Sequence, residues 1–335
     1  MRHFLFLVLI LLGILFLITG LGEVQTIWET LREGDWRFIL LALIVQSIWV
    51  INLGATYQSI YHLLGTHDNL KRLISLALAS NFANIVAPSV GMSGMAVFIA
   101  EARKNGLPVG KVTLAGILFL LVDYVAFLFI LALGLIVLFR RHDLDLAEIV
   151  ASILLLLLAL GIAAVIFIGA RSPLTLGKIL AGLARAINRL LSPLLRRDYL
   201  SEQRAYEFAQ EVSEGIRALR SGHRNLIIPL LHGLLNKFLL LTTFTLMFFA
   251  FKVPISIGTV VASFSVGYLF MIVSPTPAGI GFVEGAMTLA LSSFYIPISV
   301  SAVLALAYRG FTFWYPLFLG FLAFRALTRS EPSWI

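Results

Sequence analysis

Long apolar stretches alternate with short charged segments along almost the whole chain. A helix needs about 20 apolar residues to cross the hydrocarbon core of a bilayer, and several stretches reach that length without a break. The first one could be a signal peptide, but no small-residue cleavage site follows it, so we expect a retained span. The pattern predicts six full spans, near residues 4–21, 38–60, 112–139, 149–170, 225–251 and 299–326.

Two further apolar stretches, 73–99 and 256–296, are interrupted by proline and glycine. Residues 85–94 read Ile-Val-Ala-Pro-Ser-Val-Gly-Met-Ser-Gly, and residues 272–281 read Ile-Val-Ser-Pro-Thr-Pro-Ala-Gly-Ile-Gly. Proline removes a backbone donor and glycine loosens a helix, so each motif predicts a re-entrant hairpin. Non-helical backbone survives at membrane depth only where protein or a water-filled cavity covers it. Such interruptions at matching places in two halves are typical of a transport site.

The charges of the connections predict the orientation of the spans. Segment 22–37 is acidic and is expected outside, whereas 61–72 and 100–111 are basic and are expected in the cytoplasm. A full crossing by 73–99 would separate the two basic segments. A hairpin that turns at Pro88–Gly94 keeps both inside, so the charges and the helix break agree.

Basic residues outnumber acidic ones in the linker 171–224, which predicts a cytoplasmic location. Apolar residues at helical spacing in its first part predict a helix on the membrane surface. Residues 202–220 predict a soluble helix on the cytoplasmic face, although a simple tether between the halves stays open. Both termini are expected in the cytoplasm.

The order span, hairpin, span occurs twice, at 38–139 and at 225–326, with an offset that relates Pro88 to Pro275 and Leu120 to Arg309. The second copy is entered from the opposite side, so the sequence predicts an inverted repeat, as in many secondary transporters. The predicted fold is all-α and polytopic. It forms one membrane domain, 1–335, divided into 1–37 (first span and external loop), 38–139 (first repeat), 140–224 (span and basic linker), 225–326 (second repeat) and 327–335 (tail).

Composition supports the membrane class, because 60% of the residues are hydrophobic and 13% are charged, against about a quarter charged in soluble domains. The net charge of +8 does not indicate nucleic acid, because the basic residues gather beside apolar spans. The chain has no cysteine, which excludes disulfides, thiolate catalysis and cysteine-bound metals.

Several motifs together resemble a known membrane family. They are Pro88–Gly94, Ala100–Leu107, Leu121–Tyr124, Pro275–Glu284 and Tyr308-Arg309. The chain resembles, over about residues 5–326, the transmembrane, flippase-like domain of the lysylphosphatidylglycerol synthase family, the multiple peptide resistance factor type. This resemblance implies a bacterial or archaeal plasma-membrane protein that moves or binds lipids.

Three features set the chain apart from the family pattern. The family's soluble synthase domain does not follow before Ile335, so we do not expect synthase activity. Many relatives carry Gly-Glu and then Arg after the first proline, where this chain has Ser93-Gly94-Met95. Many also carry an arginine at the position of Leu120, three residues before Asp123. The last two differences, at Ser93–Met95 and at Leu120, remove charge from the first half of the chain.

Three charged residues inside apolar stretches are the main candidates for chemistry, because charges at membrane depth are costly. Glu284 is placed to cap a helix N-terminus, to take a proton or to bind a lipid amine. For Arg309 the sequence leaves open an ion pair with Glu284 or Asp123, a lipid phosphate or snorkelling to the interface. Asp123 is expected either to pair with Arg309 or to titrate as a coupling group.

Polar residues near the breaks complete the candidate site. Asn81, Asn84, Asn52 and Asn236 favour hydrogen bonds between helices, and Lys237 is a weaker anion-site candidate near the cytoplasmic interface. Hairpin hydroxyls and amides are expected to line an anion-receptive cavity. The predicted lipid-binding or transport residues are Asn84, Pro88, Ser89, Ser93, Gly94, Asp123, Pro275, Thr276, Pro277, Gly279, Gly281, Glu284 and Arg309.

No enzyme motif, metal site, cofactor site or nucleotide-binding loop is found in the sequence. We therefore expect translocation of a phospholipid or polyprenyl-linked lipid between leaflets, driven by a gradient or by downstream consumption. The alternatives are a membrane-embedded lipid-modifying enzyme, an accessory lipid-binding subunit, and a receptor or scaffold that transports nothing. No nucleic-acid partner is expected, and a homo-oligomer stays open.

Overall fold

The computed structural model describes residues 26–86, 92–141, 146–195, 226–274 and 276–329, with a few helical residues between 203 and 213. Within this part of the chain, the regular elements are all helices, which confirms the all-α prediction. The predicted first span at 4–21 lies outside the described residues.

The helices are numbered in chain order. They are α1 (residues 26–33), α2 (Trp36–Leu63), α3 (Leu70–Val86), α4 (Met92–Lys104), α5 (Val109–Arg141), α6 (Leu146–Arg171), α7 (Pro173–Leu195), α8 (helical residues between 203 and 213), α9 (Ile227–Ala250), α10 (Ile257–Val273), α11 (Phe282–Ser293), α12 (Ile298–Arg309) and α13 (Tyr315–Arg329). A 3₁₀ turn, Pro277–Gly279, precedes α11, and a π-helical segment, Gly310–Trp314, joins α12 to α13.

Four helical stretches in the described part are long and apolar enough to cross a membrane. They are α2, α5, α9 and the continuous stretch Ile298–Thr328, which joins α12 to α13. Helix α6 carries a shorter apolar stretch, Ser152–Ile168, where the sequence predicts the span 149–170. The protein is therefore a polytopic membrane protein.

Helices α3 and α4 form the first hairpin. Near its open end, Arg72 Nη2 donates to Glu101 Oε1 at 2.9 Å, and near its closed end the backbone N–H of Gly94 donates to Asn84 Oδ1 at 2.7 Å. The two helices therefore run antiparallel. At 1.5 Å per residue, 17 and 13 residues are about 26 and 20 Å long, which is less than the roughly 30 Å hydrocarbon core of a bilayer.

Helices α10 and α11 form the second hairpin, with a turn built from hydroxyl and glycine residues. The Thr276 hydroxyl donates to the carbonyl of Ile280 at 2.9 Å, and the Thr276 N–H donates to Ser274 Oγ at 3.1 Å. Gly279 and Gly281 adopt φ values of +75° and +79°, a region that glycine enters without steric cost. Side-chain hydroxyls therefore satisfy backbone groups freed by the break.

The helices of the two predicted repeats form two sets, α2–α5 and α9–α13. The first helices of these sets, α2 and α9, pack against each other in opposite directions. The N–H of Asp35, just before α2, donates to the carbonyl of Ala250 at the end of α9, at 2.9 Å. Further along, Asn52 Nδ2 donates to Asn236 Oδ1 at 2.8 Å. Equivalent helices thus run antiparallel, which is the relation that an inverted repeat requires.

Each hairpin packs on the last long helix of the other set. A Cβ at Gly320 of α13 would lie 2.6 Å from the carbonyl oxygen of Leu78 in α3. A Cβ at Gly134 of α5 would lie 2.4 Å from Ser265 Oγ in α10. Small residues allow membrane helices to approach closely, so these glycines interlock the two sets.

The basic linker contains the helix that its spacing predicts, α7, which packs against α6. Leu176 and Ala181 are buried while Leu174 and Ile179 are exposed, so α7 has one packed face. Its Gly177 lies against the ring of Tyr206 in α8. Contact of α7 with a membrane surface stays a prediction.

Candidate functional site

A cavity of about 280 Å³ lies where the two hairpins meet the long helices. The first hairpin contributes neutral polar groups, among them Asn81 and Asn84, to its wall. The charged residues of the described lining are Asp123, Lys237 and Arg309. Aromatic side chains fill much of the remaining wall: Trp49, Tyr57, Phe98, Phe119, Tyr268 and Tyr308.

One charged cluster joins α5, α9 and α10. Lys237 Nζ lies 2.6 Å from Asp123 Oδ1, and the Tyr268 hydroxyl donates to Asp123 Oδ2 at 3.1 Å. The Lys237 ammonium also donates to the Tyr268 hydroxyl and lies 4.0 Å from the centre of its ring. Only 1% of the lysine side chain is exposed. Burial of an ammonium group is tolerated when it is paired and hydrogen-bonded in this way.

Asp123 therefore pairs with Lys237, and the alternative in which it pairs with Arg309 is wrong. The position of Lys237 relative to the cytoplasmic interface stays a prediction. Lys237 is the residue that sequence reasoning underrated. Its signal was a cation in the middle of the apolar run 225–251, next to Asn236. Tyr268 gave no signal, because one hydroxyl in an apolar helix is common.

The second charged cluster ties α12 to the turn of the second hairpin. Arg309 Nε donates to Glu284 Oε1 at 2.6 Å, and its Nη2 donates to the carbonyl of Ala278 at 3.0 Å. The guanidinium also lies 4.6 Å from the centre of the Phe313 ring, within the π-helical segment. Arg309 is 2% exposed, which excludes snorkelling to the interface.

Glu284 lies in the first turn of α11, but its side chain makes no capping hydrogen bond. One carboxylate oxygen binds Arg309, and the other is buried and has no hydrogen-bond partner among the described residues. The ion pair thus replaces the capping hydrogen bond that we considered. The negative charge of Glu284 still lies beside the N-terminus of α11, the positive end of the helix dipole.

Asparagines connect helices, as their positions predict. Asn84 accepts the N–H of Gly94 across the first hairpin, and Asn52 donates to Asn236 between α2 and α9. His232 joins this second group, because its Nδ1 lies 2.6 Å from Asn52 Oδ1. Thr56 closes the cluster by accepting a 3.2 Å hydrogen bond from Asn236 Nδ2.

The other predicted site residues that the structure describes lie in the two hairpins. A Cβ at Gly94 would lie 2.4 Å from both Asn84 Nδ2 and Ser80 Oγ, so the closed end of the first hairpin has no room for a side chain.

The second turn is built from Thr276, Pro277, Gly279 and Gly281. Ser93 lies half-buried in α4. Neither Ser93 nor Thr276 is in the described lining, contrary to expectation. Pro88, Ser89 and Pro275 lie outside the described residues.

Comparison with known proteins confirms the resemblance. The chain is 22% identical over 333 residues to a UPF0104 membrane protein of Methanocaldococcus jannaschii, covering 96% of this chain and 95% of the relative. The model of the family described as lysylphosphatidylglycerol synthase TM region matches residues 4–320. Because that match spans nearly the whole chain, this protein belongs to the lysylphosphatidylglycerol synthase transmembrane-region family.

Proposed function

We propose that this protein translocates a lipid between the leaflets of the prokaryotic plasma membrane. The headgroup passes through the cavity between the hairpins while the acyl chains stay in the bilayer. The observation that carries the proposal is the pair of buried charge clusters, Asp123–Lys237 and Glu284–Arg309, beside one cavity. Ionisable groups at membrane depth are costly and usually mark a substrate or ion pathway.

The geometry of the two hairpins supports the proposal. Their helices have 17, 13, 17 and 12 residues, so each hairpin enters the membrane and returns to the side from which it came. Because α2 and α9 run antiparallel, the two hairpins enter from opposite sides. A site where opposed broken helices meet near the membrane centre is typical of transporters that work by alternating access, in which the site opens to each side of the membrane in turn.

The size of the cavity favours a headgroup over a whole lipid. About 280 Å³ is close to the lower end of the roughly 300–1,000 Å³ range of small-molecule pockets. Neutral amides, hydroxyls and aromatic rings of its wall offer hydrogen bonds and surface for a polar group.

Reconstitution in liposomes tests the proposal. A fluorescent phospholipid is placed in both leaflets, and its outer-leaflet fraction is followed by leaflet-specific quenching. The wild-type chain is expected to speed exchange well above the rate of protein-free vesicles. Glu284→Gln is expected to slow it about tenfold or more, because a hydrogen bond to a charged group contributes roughly 1.5–3 kcal/mol and about 1.4 kcal/mol is tenfold.

Glu207→Gln is the matched control, because Glu207 is an exposed residue of α8, outside the cavity lining. This variant should exchange lipid at the wild-type rate. Wild-type protein that exchanges no lipid above background would contradict translocation. Formation of a modified lipid without transbilayer movement would favour the enzyme alternative.

A further inference from the structure

The charges around the cavity balance one another. Lys237 and Arg309 bring two positive charges, and Asp123 and Glu284 bring two negative charges. Of these four residues, Glu284 alone is absent from the described cavity lining, and its carboxylate pairs with Arg309. The cavity surface itself therefore presents two cations and one carboxylate, which favours an anionic ligand.

A monoanionic ligand would leave this balanced set with one negative charge in excess. An uncompensated charge in a low-dielectric site is strongly unfavourable. We propose that a phosphate diester headgroup enters the cavity together with one proton: the phosphate replaces Asp123 on Lys237, and Asp123 takes up the proton. This inference rests on the proposed translocation and makes it a proton-coupled, electroneutral movement of an anionic lipid.

Geometry favours the Lys237 cluster over the Arg309 cluster as the exchanging pair. Arg309 is held by both Glu284 and the Ala278 carbonyl, so its release would also open the hairpin turn. Lys237 is a point charge with three donors, and Asp123, with 19% of its side chain exposed, faces the cavity. The proton therefore has access to Asp123 from the cavity.

Apart from Lys237, the titratable groups described around Asp123 are tyrosine hydroxyls, which are neutral. Lys237 of α9 and the Tyr268 hydroxyl of α10 contact Asp123. Tyr57 of α2 lines the same cavity, and Tyr124 is the next residue of α5. Helix α4 presents Met95 and Phe98 to the cavity, and residues 152–168 of α6 include no titratable side chain. Once the phosphate occupies Lys237, the remaining cation of the described cavity lining is Arg309, which stays paired with Glu284.

Proton uptake on ligand binding tests this inference without any transport step. Short-chain phosphatidylglycerol is added to the detergent-solubilised full chain in a weakly buffered solution at neutral pH, and bound lipid and proton uptake are measured together. The wild-type protein is expected to take up about one proton per bound lipid, since binding and protonation are linked. Asp123→Asn is expected to bind the lipid with no uptake.

Glu207→Gln is the matched control, because it also removes a carboxylate, at an exposed position of α8 outside the described cavity lining. It should keep the wild-type proton stoichiometry. Short-chain phosphatidylcholine, which has no net charge, should cause no uptake. Wild-type binding of phosphatidylglycerol without protons, or no binding at all, would overturn the inference. Uptake with inorganic phosphate but not with the lipid would overturn its lipid part.

Infrared difference spectra place the proton. The carboxylic acid band that appears on lipid binding should vanish in Asp123→Asn and shift in Asp123→Glu. A band that shifts only in Glu284→Asp would overturn the choice of Asp123. Proton uptake on binding without lipid exchange in liposomes would contradict the proposed function alone, whereas exchange without proton uptake would contradict the inference alone.

Discussion

Lys237 and Arg309 are almost completely buried, and each is tolerated because a carboxylate and a second polar group accompany it. The sequence identified Asp123, Glu284 and Arg309, because charges inside apolar runs are conspicuous. It did not identify which charges meet, since the partners lie 25 and 114 residues apart and come together through helix packing.

Loss of Arg309 should destabilise the protein strongly. Arg309→Met leaves the Glu284 carboxylate buried and unpaired, so we expect the free energy of unfolding to fall by about 3–5 kcal/mol. The double variant Arg309→Met/Glu284→Leu should lose less, because no buried charge is left without a partner. Denaturant titration in detergent measures both.

Arg72→Met is the control for this prediction, because its ion pair with Glu101 is more exposed. A partly exposed pair contributes about 1 kcal/mol or less. Equal losses for Arg72→Met and Arg309→Met would show that the Arg309 pair is not buried in the folded protein.

Two glycines of the second turn offer a matched test of backbone strain. Gly281→Ala should cost about 1–2 kcal/mol, because alanine is strained at a positive φ, although nothing lies within 4 Å of the added Cβ. Gly279→Ala should cost more, because its Cβ would also lie 2.5 Å from Val283 Cγ2. Thermal unfolding in detergent compares them, and the opposite order would refute this turn geometry.

At the scale of the elements, proline and glycine predicted both hairpins, because these residues act locally on the backbone. The structure adds the packing partners, which depend on surfaces far apart in the chain. Each hairpin packs on a long helix of the other set, at Gly320 and at Gly134. The sequence also did not predict the π-helical segment after Arg309. The equivalent part of α5, around Asp123, is regular helix.

Alanine substitutions test these close contacts. Gly320→Ala and Gly134→Ala should lower stability by about 1–3 kcal/mol, because the added methyl group overpacks the helix contact. Gly161→Ala is the control, because Gly161 lies in α6 with nothing within 4 Å. It should be neutral or stabilise by up to about 1 kcal/mol. Unchanged stability of both contact variants in detergent unfolding would argue against the packing of hairpin on helix.

At the scale of the whole molecule, the antiparallel pairing of α2 and α9 determines which loops share a side. Residues 34–35 lie beside residues 250–251, at one end of the bundle. The open end of the second hairpin is at that same end, because α10 begins shortly after α9. The open end of the first hairpin, at Arg72 and Glu101, lies at the other end of α2.

Cysteine labelling tests this arrangement, and the natural chain has no cysteine to interfere. Glu33→Cys, Ser256→Cys and Ser299→Cys should react with an impermeant maleimide from one side of the membrane, and Lys71→Cys from the other. Charge counting predicts that the first group is outside. Labelling of Ser299→Cys from the same side as Lys71→Cys would contradict opposed hairpins, whichever way the protein is inserted.

The sequence by itself determined the membrane class, four long apolar spans that the structure shows, and the charged residues worth attention. It also predicted the proline and glycine breaks. Each of these depends on local chemistry: the length of an apolar run, the missing donor of proline or the cost of one charge in lipid. Only the tertiary structure decided that Lys237 pairs with Asp123 and Arg309 with Glu284, and that three of these four residues line one cavity. Those facts depend on which faces of distant helices come into contact, and nothing in a single apolar helix fixes that choice.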